Sequence, residues 1–161
     1  MRALVVGDRD WDDEATIRRE LRRLPRRGVV VHGDARGAER IADAVAHELG
    51  LRVEMYPATW RMQGRAAGPI RNRMMLARGN PDLVLAFHDN LAKSRGTKNM
   101  LALAQRARVK VRVVLSEAEE DRVDIELARR ALAEPGCILL EDVLRRRRRA
   151  KRSRAARRSR G

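Results

Sequence analysis

Three consecutive β-branched residues, Val29-Val30-Val31, run through His32 into the turn Gly33-Asp34-Ala35-Arg36-Gly37. No other stretch constrains the fold of this 161-residue chain as much. A strand with no polar face must be covered on both sides, which is the situation of a parallel sheet between helix layers. From Ala38 the apolar residues recur at Ala38, Ile41, Ala42, Val45 and Leu49, the stripe of an amphipathic helix. Gly33 and Gly37 let the backbone bend sharply and let a ligand approach it. Amide groups at the start of a helix, with Arg36 beside them, suit an anion such as a phosphate. The alternative is that the glycines serve only a tight turn.

The same alternation spans the chain. Residues 2–7 read as a first strand, followed by the polar loop Gly7-Asp8-Arg9-Asp10-Trp11-Asp12-Asp13 and a helix over about 13–24, with Asp12 or Asp13 as its cap. Residues 52–57 form a third strand closed by Pro57. Residues 60–67 lack a clean period and read as a loop, and Gly68-Pro69 opens a helix that ends near Gly79-Asn80-Pro81. Residues 83–87 are a fourth strand, 88–95 a polar loop, and Gly96-Thr97 opens the next helix. A fifth strand over 111–115, a helix over about 117–134 capped by Ser116, a break at Pro135-Gly136 and a short sixth strand over 137–140 complete the pattern. The expected fold is therefore α/β: Rossmann-like and doubly wound, with a mainly parallel sheet of five to six strands. In such sheets ligands bind beyond the carboxyl ends of the strands, and the loops after strands one, two and four converge there.

Composition narrows the chemistry. Aromatic residues are 2% of the chain, so the core is built from small aliphatic residues and methionine. The single cysteine, Cys137, excludes an internal disulfide and reads as a buried small hydrophobe. No run is long enough to span a bilayer and no signal-peptide pattern opens the chain, which implies a cytoplasmic protein with no membrane partner. The net charge is +15, and residues 145–161 carry eleven Lys and Arg with no acid, leaving +4 for residues 1–144. Two regions follow: a folded domain over 1–144 and an arginine-rich tail over 145–161, disordered or partly helical.

Several residues are candidates for the ligand site. Gly7, Asp8 and Arg9 follow the first strand; Gly33, Arg36, Gly37 and Ala38 form the second turn. Arg65, Gly68, Arg71 and Asn72 surround a helix start, where the arginines suit bidentate phosphate pairing and Asn72 suits a base or ribose; a solvated basic face is the alternative. Ser94, Gly96 and Thr97 place hydroxyls and amides at another helix start, whether as cap, phosphate contact or both. His88 is a candidate polar contact. Trp11 and Trp60 lie in loops at this edge, each suited either to stacking on a base or to anchoring its loop. Asp8, Asp10, Asp12 and Asp13 fail the calcium-loop pattern, which needs glycine at its sixth position and glutamate at its twelfth, where Asp13 and Arg19 stand. No protein-held metal site is expected, and no cofactor is assigned beyond a nucleotide-derived ligand and any Mg²⁺ it carries in. No Ser-His-Asp order, zinc spacing, P-loop or Gly-x-Gly-x-x-Gly turn is present.

Taken together, five pieces resemble the YspA/YpsA-related branch of the SLOG superfamily. They are Val5-Val6-Gly7-Asp8-Arg9-Asp10, Val31-His32-Gly33-Asp34-Ala35-Arg36-Gly37-Ala38-Glu39, Tyr56-Pro57-Ala58-Thr59-Trp60, the run from Gly64 through Gly68-Pro69-Ile70-Arg71-Asn72-Arg73 to Met75, and Ala86-Phe87-His88 with Ser94-Arg95-Gly96-Thr97. The resemblance covers roughly residues 2–115. It implies binding or sensing of a nucleotide-derived ligand related to NAD or ADP-ribose, and self-association. Two relatives of the family mark alternatives. LOG-type phosphoribohydrolases use an arginine, matched by Arg71, and a glutamate in a Pro-Gly-Gly motif; here the motif is missing and Met100 holds the glutamate position. The resemblance therefore leans away from an enzyme and assigns no catalytic residue. The DNA-processing relative DprA binds single-stranded DNA, which implies nucleic acid as a rival partner.

The tail supports that rival independently. Arg145, Arg146, Arg147, Arg148, Arg149, Lys151 and Arg152 form a dense run suited to neutralising nucleic-acid phosphates. No aromatic residue is interleaved with them, so base stacking is not expected. The alternative is a merely solubilising extension.

Overall fold

Val29–His32, in the computed structural model, forms strand β2, buried at all four positions. The structure describes residues 1–133; the expected break at 135–136, the strand over 137–140 and the arginine-rich tail lie outside them. Around β2 stand β1 (Arg2–Gly7), β3 (Arg52–Met55), β4 (Leu83–Phe87) and β5 (Lys110–Val114). All pairings are parallel and the order is β3-β2-β1-β4-β5.

Strand periodicity divides the core in two. Ala3 and Val5 of β1, with Val30, Leu85 and Phe87, face helices α1 (Glu14–Leu21) and α2 (Ala38–Glu48) through Ile17, Leu21, Ala42 and Val45. Leu4 and Val6, with Val31, Val84 and Ala86, face α4 (Ala67–Gly79) and α5 (Arg95–Arg106) through Met75, Met100 and Ala104. Neighbouring residues on a strand point to opposite faces, so unbroken apolar runs serve both layers at once.

The three central strands carry unbroken apolar runs, with the polar residues Arg2 and His32 only at strand ends. β3 and β5 are the sheet edges, and Arg52, Glu54, Lys110 and Arg112 interrupt them. Charges on an edge strand discourage pairing with another chain. Arg2 ties the β3 edge down, donating to Glu54 Oε2 and to the Gly79 carbonyl, both at 2.5 Å. The hydrogen bond from Arg2 holds the Glu54 carboxyl below its ordinary 4.5.

Asp13 caps α1, accepting from the Thr16 amide at 2.9 Å, and also accepts from the Glu117 amide at 2.9 Å. Burial pushes its carboxyl up, but these hydrogen bonds together leave it below its ordinary 3.8. The segment after Pro57, expected as a loop, is instead the one-turn helix α3 (Trp60–Gln63) followed by a 3₁₀ turn over Gly64–Ala66. These elements belong to the first of two units, Met1–Glu117. Of the second, from Ala118, the described residues continue helix α6 (Glu117–Ala133), which carries an Arg122–Glu119 pair at 2.6 Å. Among the described residues no helix is long and apolar enough to cross a membrane.

Candidate functional site

The strand order reverses between β1 and β4: the chain steps outward to β2 and β3, then returns to the far side of β1 for β4 and β5. Loops leaving β1 and β4 diverge there and open a crevice. A cavity of about 550 Å³ occupies it.

The cavity wall is built from the residues that follow β1 and β4. Gly7, Asp8 and Arg9 line it from the first loop. Gly7 has no room for a side chain: a Cβ would meet the Phe87 carbonyl oxygen at 2.6 Å and crowd Ala38. From the other side come His88, Ser94, Gly96 and Thr97, with Arg36, Arg71 and Asn72 completing the wall. Ser94 caps α5, accepting from the Thr97 amide at 3.1 Å and donating to the Thr97 hydroxyl at 2.8 Å.

The glycine turn after β2 is already held by a carboxylate of the chain. Glu39, only 4% exposed at its side chain, accepts from the Gly33 amide at 2.7 Å and from the Ala35 amide at 3.1 Å. Arg71 closes the arrangement, donating to the Gly33 carbonyl at 2.8 Å with Glu39 Oε2 at 3.4 Å. Two of the amides expected to cradle an external anion therefore serve an internal one. Glu39 was absent from the sequence candidates. Its signal is position: it shares the inward stripe of α2 with Ala42 and Ala46, where an acid needs donors.

Four candidates line neither this cavity nor its neighbour. Gly37, at φ 75°, and Ala38, whose amide donates to the Asp8 carbonyl at 3.1 Å, seat the start of α2 on the β1 loop. Gly68 lies under Trp60, and Arg65 stands exposed in the 3₁₀ turn. Gly33 lines the neighbouring cavity, where its missing Cβ makes room for the Arg71 guanidinium.

His32 and His88 repeat one device at the ends of β2 and β4. Each Nδ1 accepts an amide two residues on, from Asp34 at 3.2 Å and from Asn90 at 3.0 Å. An accepting Nδ1 leaves the proton on Nε2. His32 Nε2 then meets Asp43 at 3.1 Å, and His88 Nε2 faces Asp8 at 3.6 Å. Among the described residues no group of three or more His, Cys, Asp or Glu is placed to hold a metal ion.

Trp11 anchors its loop: it is 6% exposed, packs edge-on against Phe87 with ring centres 5.6 Å apart, and donates from Nε1 to the Asp13 carbonyl. Trp60 is 51% exposed. Sequence reasoning also missed Lys93 and Arg95, which flank Ser94 on the cavity wall, and Asp10, which pairs with Arg36 at 2.9 Å. Arg9, Lys93 and Arg95 have no carboxylate partner among the described residues. Cations thus outnumber acids on this wall, five (Arg9, Arg36, Arg71, Lys93, Arg95) against three (Asp8, Asp10, Glu39).

The chain is similar to known proteins. The profile of the YspA, cpYpsA-related SLOG family matches residues 1–62. The Gene 61 protein of Mycobacterium phage D29 is 40% identical over 119 residues, covering 68% of this chain and 93% of the phage protein. The chain belongs to the YspA- and cpYpsA-related SLOG family. The family match ends within α3, so of the cavity wall it includes the β1 and β2 loops but not Arg71, Asn72 or the α5 start. DNA processing protein A from Streptococcus pneumoniae superposes with a TM-score of 0.42 at 17% identity, over 73% of this SLOG chain and 59% of that one.

Proposed function

We propose that residues 1–144 form a module that binds or senses a phosphate-bearing nucleotide or nucleotide derivative, of the NAD or ADP-ribose kind, in the cytoplasm. The observation that carries this reading is the set of unpaired cations: Arg9, Lys93 and Arg95, without carboxylate partners among the described residues, converge with Arg36 on a cavity of about 550 Å³ at the strand-order switch. That volume is ordinary for a small-molecule site. The phosphate would rest on these side chains, and Asp8 would accept from sugar hydroxyls. Binding is favoured over LOG-type hydrolysis because Met100 stands in the apolar core where that chemistry needs a carboxylate.

Thermal unfolding of the full chain with a nucleotide panel tests this. A ligand at a hundredfold excess over its Kd stabilises the native state by about 2.7 kcal/mol, several degrees in Tm. If no nucleotide at millimolar concentration raises Tm, the reading is wrong.

A second reading rests on the charge of residues 145–161: Arg145 to Arg152 would hold nucleic acid through its phosphates. Its signature is steep salt dependence, present in the full chain and lost in a chain ending at Leu144.

A further inference from the structure

All five strands run in one direction, so the sheet has a second edge, opposite the cleft, where each strand begins. Helices α1 and α5 end there, and the connections that follow them are crowded with cations. The turn from α1 into β2 carries Arg22, Arg23, Arg26 and Arg27, all exposed. The run from α5 into β5, Arg106-Ala107-Arg108-Val109-Lys110-Val111-Arg112, has an exposed cation at every second position.

The fold brings these connections onto one surface. β5 begins three strands from β2, and strands lie about 4.8 Å apart, so the two starts are about 15 Å apart. Period-two alternation turns Lys110 and Arg112 to the same face of β5. On that face Glu20 of α1, 4% exposed, accepts from Arg23 Nη1 at 2.6 Å and from Arg112 Nη1 at 2.8 Å. One carboxylate thus holds a guanidinium from each connection, and both arginine side chains stay about half exposed, at 57% and 48%.

Glu48 and Asp82, also at this edge, are engaged by Arg18 and by the Met1 amino group. Arg22, Arg26, Arg27, Arg106, Arg108 and Lys110 have no carboxylate partner among the described residues. Two ordinary roles account for part of this charge. Arg106 stands in the last turn of α5, where a cation offsets the helix dipole, and Lys110 and Arg112 protect an edge strand. Neither role calls for four arginines in the α1–β2 turn, which repel one another.

We propose that this edge of the folded domain binds the phosphate backbone of double-stranded nucleic acid. The surface is separate from the nucleotide cleft and does not use residues 145–161, so it goes beyond both readings above. Arginine and lysine without aromatic residues suit phosphates and offer no platform for unstacked bases, which favours a duplex over a single strand. A duplex also presents the denser charge, one per about 1.7 Å of its axis. Its phosphates rest on Arg26, Arg27 and Lys110, with Arg23 and Arg112 held in place by Glu20. Contacts of this kind carry no sequence information.

The test is fluorescence anisotropy of a labelled DNA duplex of about 20 base pairs against the full chain over a salt series. Each phosphate contact contributes about 0.9 to the slope of log K against log salt. Arg27→Gln with Lys110→Gln should lower the magnitude of that slope by about 1.8 for duplexes of any sequence. Tm should stay unchanged, because both side chains are exposed and without an ion-pair partner among the described residues. Arg27→Lys with Lys110→Arg should keep the parent slope. Arg61→Gln with Arg73→Gln removes the same charge from exposed positions of α3 and α4 and should leave the slope as it is. The proposal is overturned if the first variant binds the duplex like the parent, which leaves the tail alone as the nucleic-acid contact, or if the Arg61 and Arg73 pair costs as much. It is also overturned if the loss appears with a single-stranded oligothymidylate or with phosphatidylserine vesicles but not with the duplex.

Discussion

Arg71 and Glu39 meet behind the Gly33 turn, with Arg71 Nη1 3.4 Å from Glu39 Oε2 and 2.8 Å from the Gly33 carbonyl oxygen. Side chains from α4 and α2 thereby hold a backbone turn that belongs to neither helix. Glu39 is buried, Arg71 is partly buried, and both are hydrogen-bonded, so removing one member strands the other. Glu39→Ala leaves the Gly33 and Ala35 amides and Arg71 without their acceptor, and should destabilise the protein by about 3 kcal/mol. Chemical denaturation measures this; a loss below about 1 kcal/mol would show that the turn holds itself.

Arg36 and Arg71 should separate binding from stability. Arg36 is 68% exposed and its pair with Asp10 is in water, so Arg36→Ala should change Tm little while weakening nucleotide affinity. Arg71→Ala should lower both. Equal Tm losses in the two variants would contradict this division.

Gly37 tests the seating of α2. At φ 75° an L side chain is strained, and a Cβ there would collide with the Asp8 carbonyl. Gly37→Ala should cost about 2 kcal/mol or more, whereas Gly96→Ala, open on all sides, should be nearly neutral.

Acid should destabilise the fold through two carboxylates. Glu54 and Asp13 both have folded pKa values below their ordinary 4.5 and 3.8. A depressed folded pKa means the unfolded chain binds protons first as pH falls. The stability these groups give is therefore complete above their ordinary values and lost as pH drops through the folded ones. Tm measured against pH should be flat with respect to these groups in the neutral range and fall below about pH 4. Glu54→Gln should flatten that fall, and an unchanged acid limb would remove Glu54 from the account.

The central strands were legible because continuously apolar runs such as Val29-Val30-Val31 and Leu83–Phe87, bounded by turn residues, suit a strand covered on both faces. The edges were less so: Arg52, Glu54, Lys110 and Arg112 break the apolar runs because the outer strands are incompletely covered, residues 110–113 all being exposed. Residues 60–66 show no period because a single turn of helix and a 3₁₀ turn are too short to display one. At the site, Gly7, Asp8, His88 and Ser94 follow from their places after β1 and β4. Glu39 was hidden because a buried acid beside a glycine turn looks, in sequence, like any acid in the first turn of a helix.

The order of the sheet has a consequence for how the cleft comes into being. Ala3 pairs with Leu83, eighty positions along the chain, and one cleft wall follows each of these strands. While the chain emerges, the first three strands can assemble without any cleft at all. The cleft exists only once β4 has docked beside β1, a non-local step. A ligand seated there would bridge the two halves of the sheet and oppose their separation, so occupancy would report that the whole domain has closed.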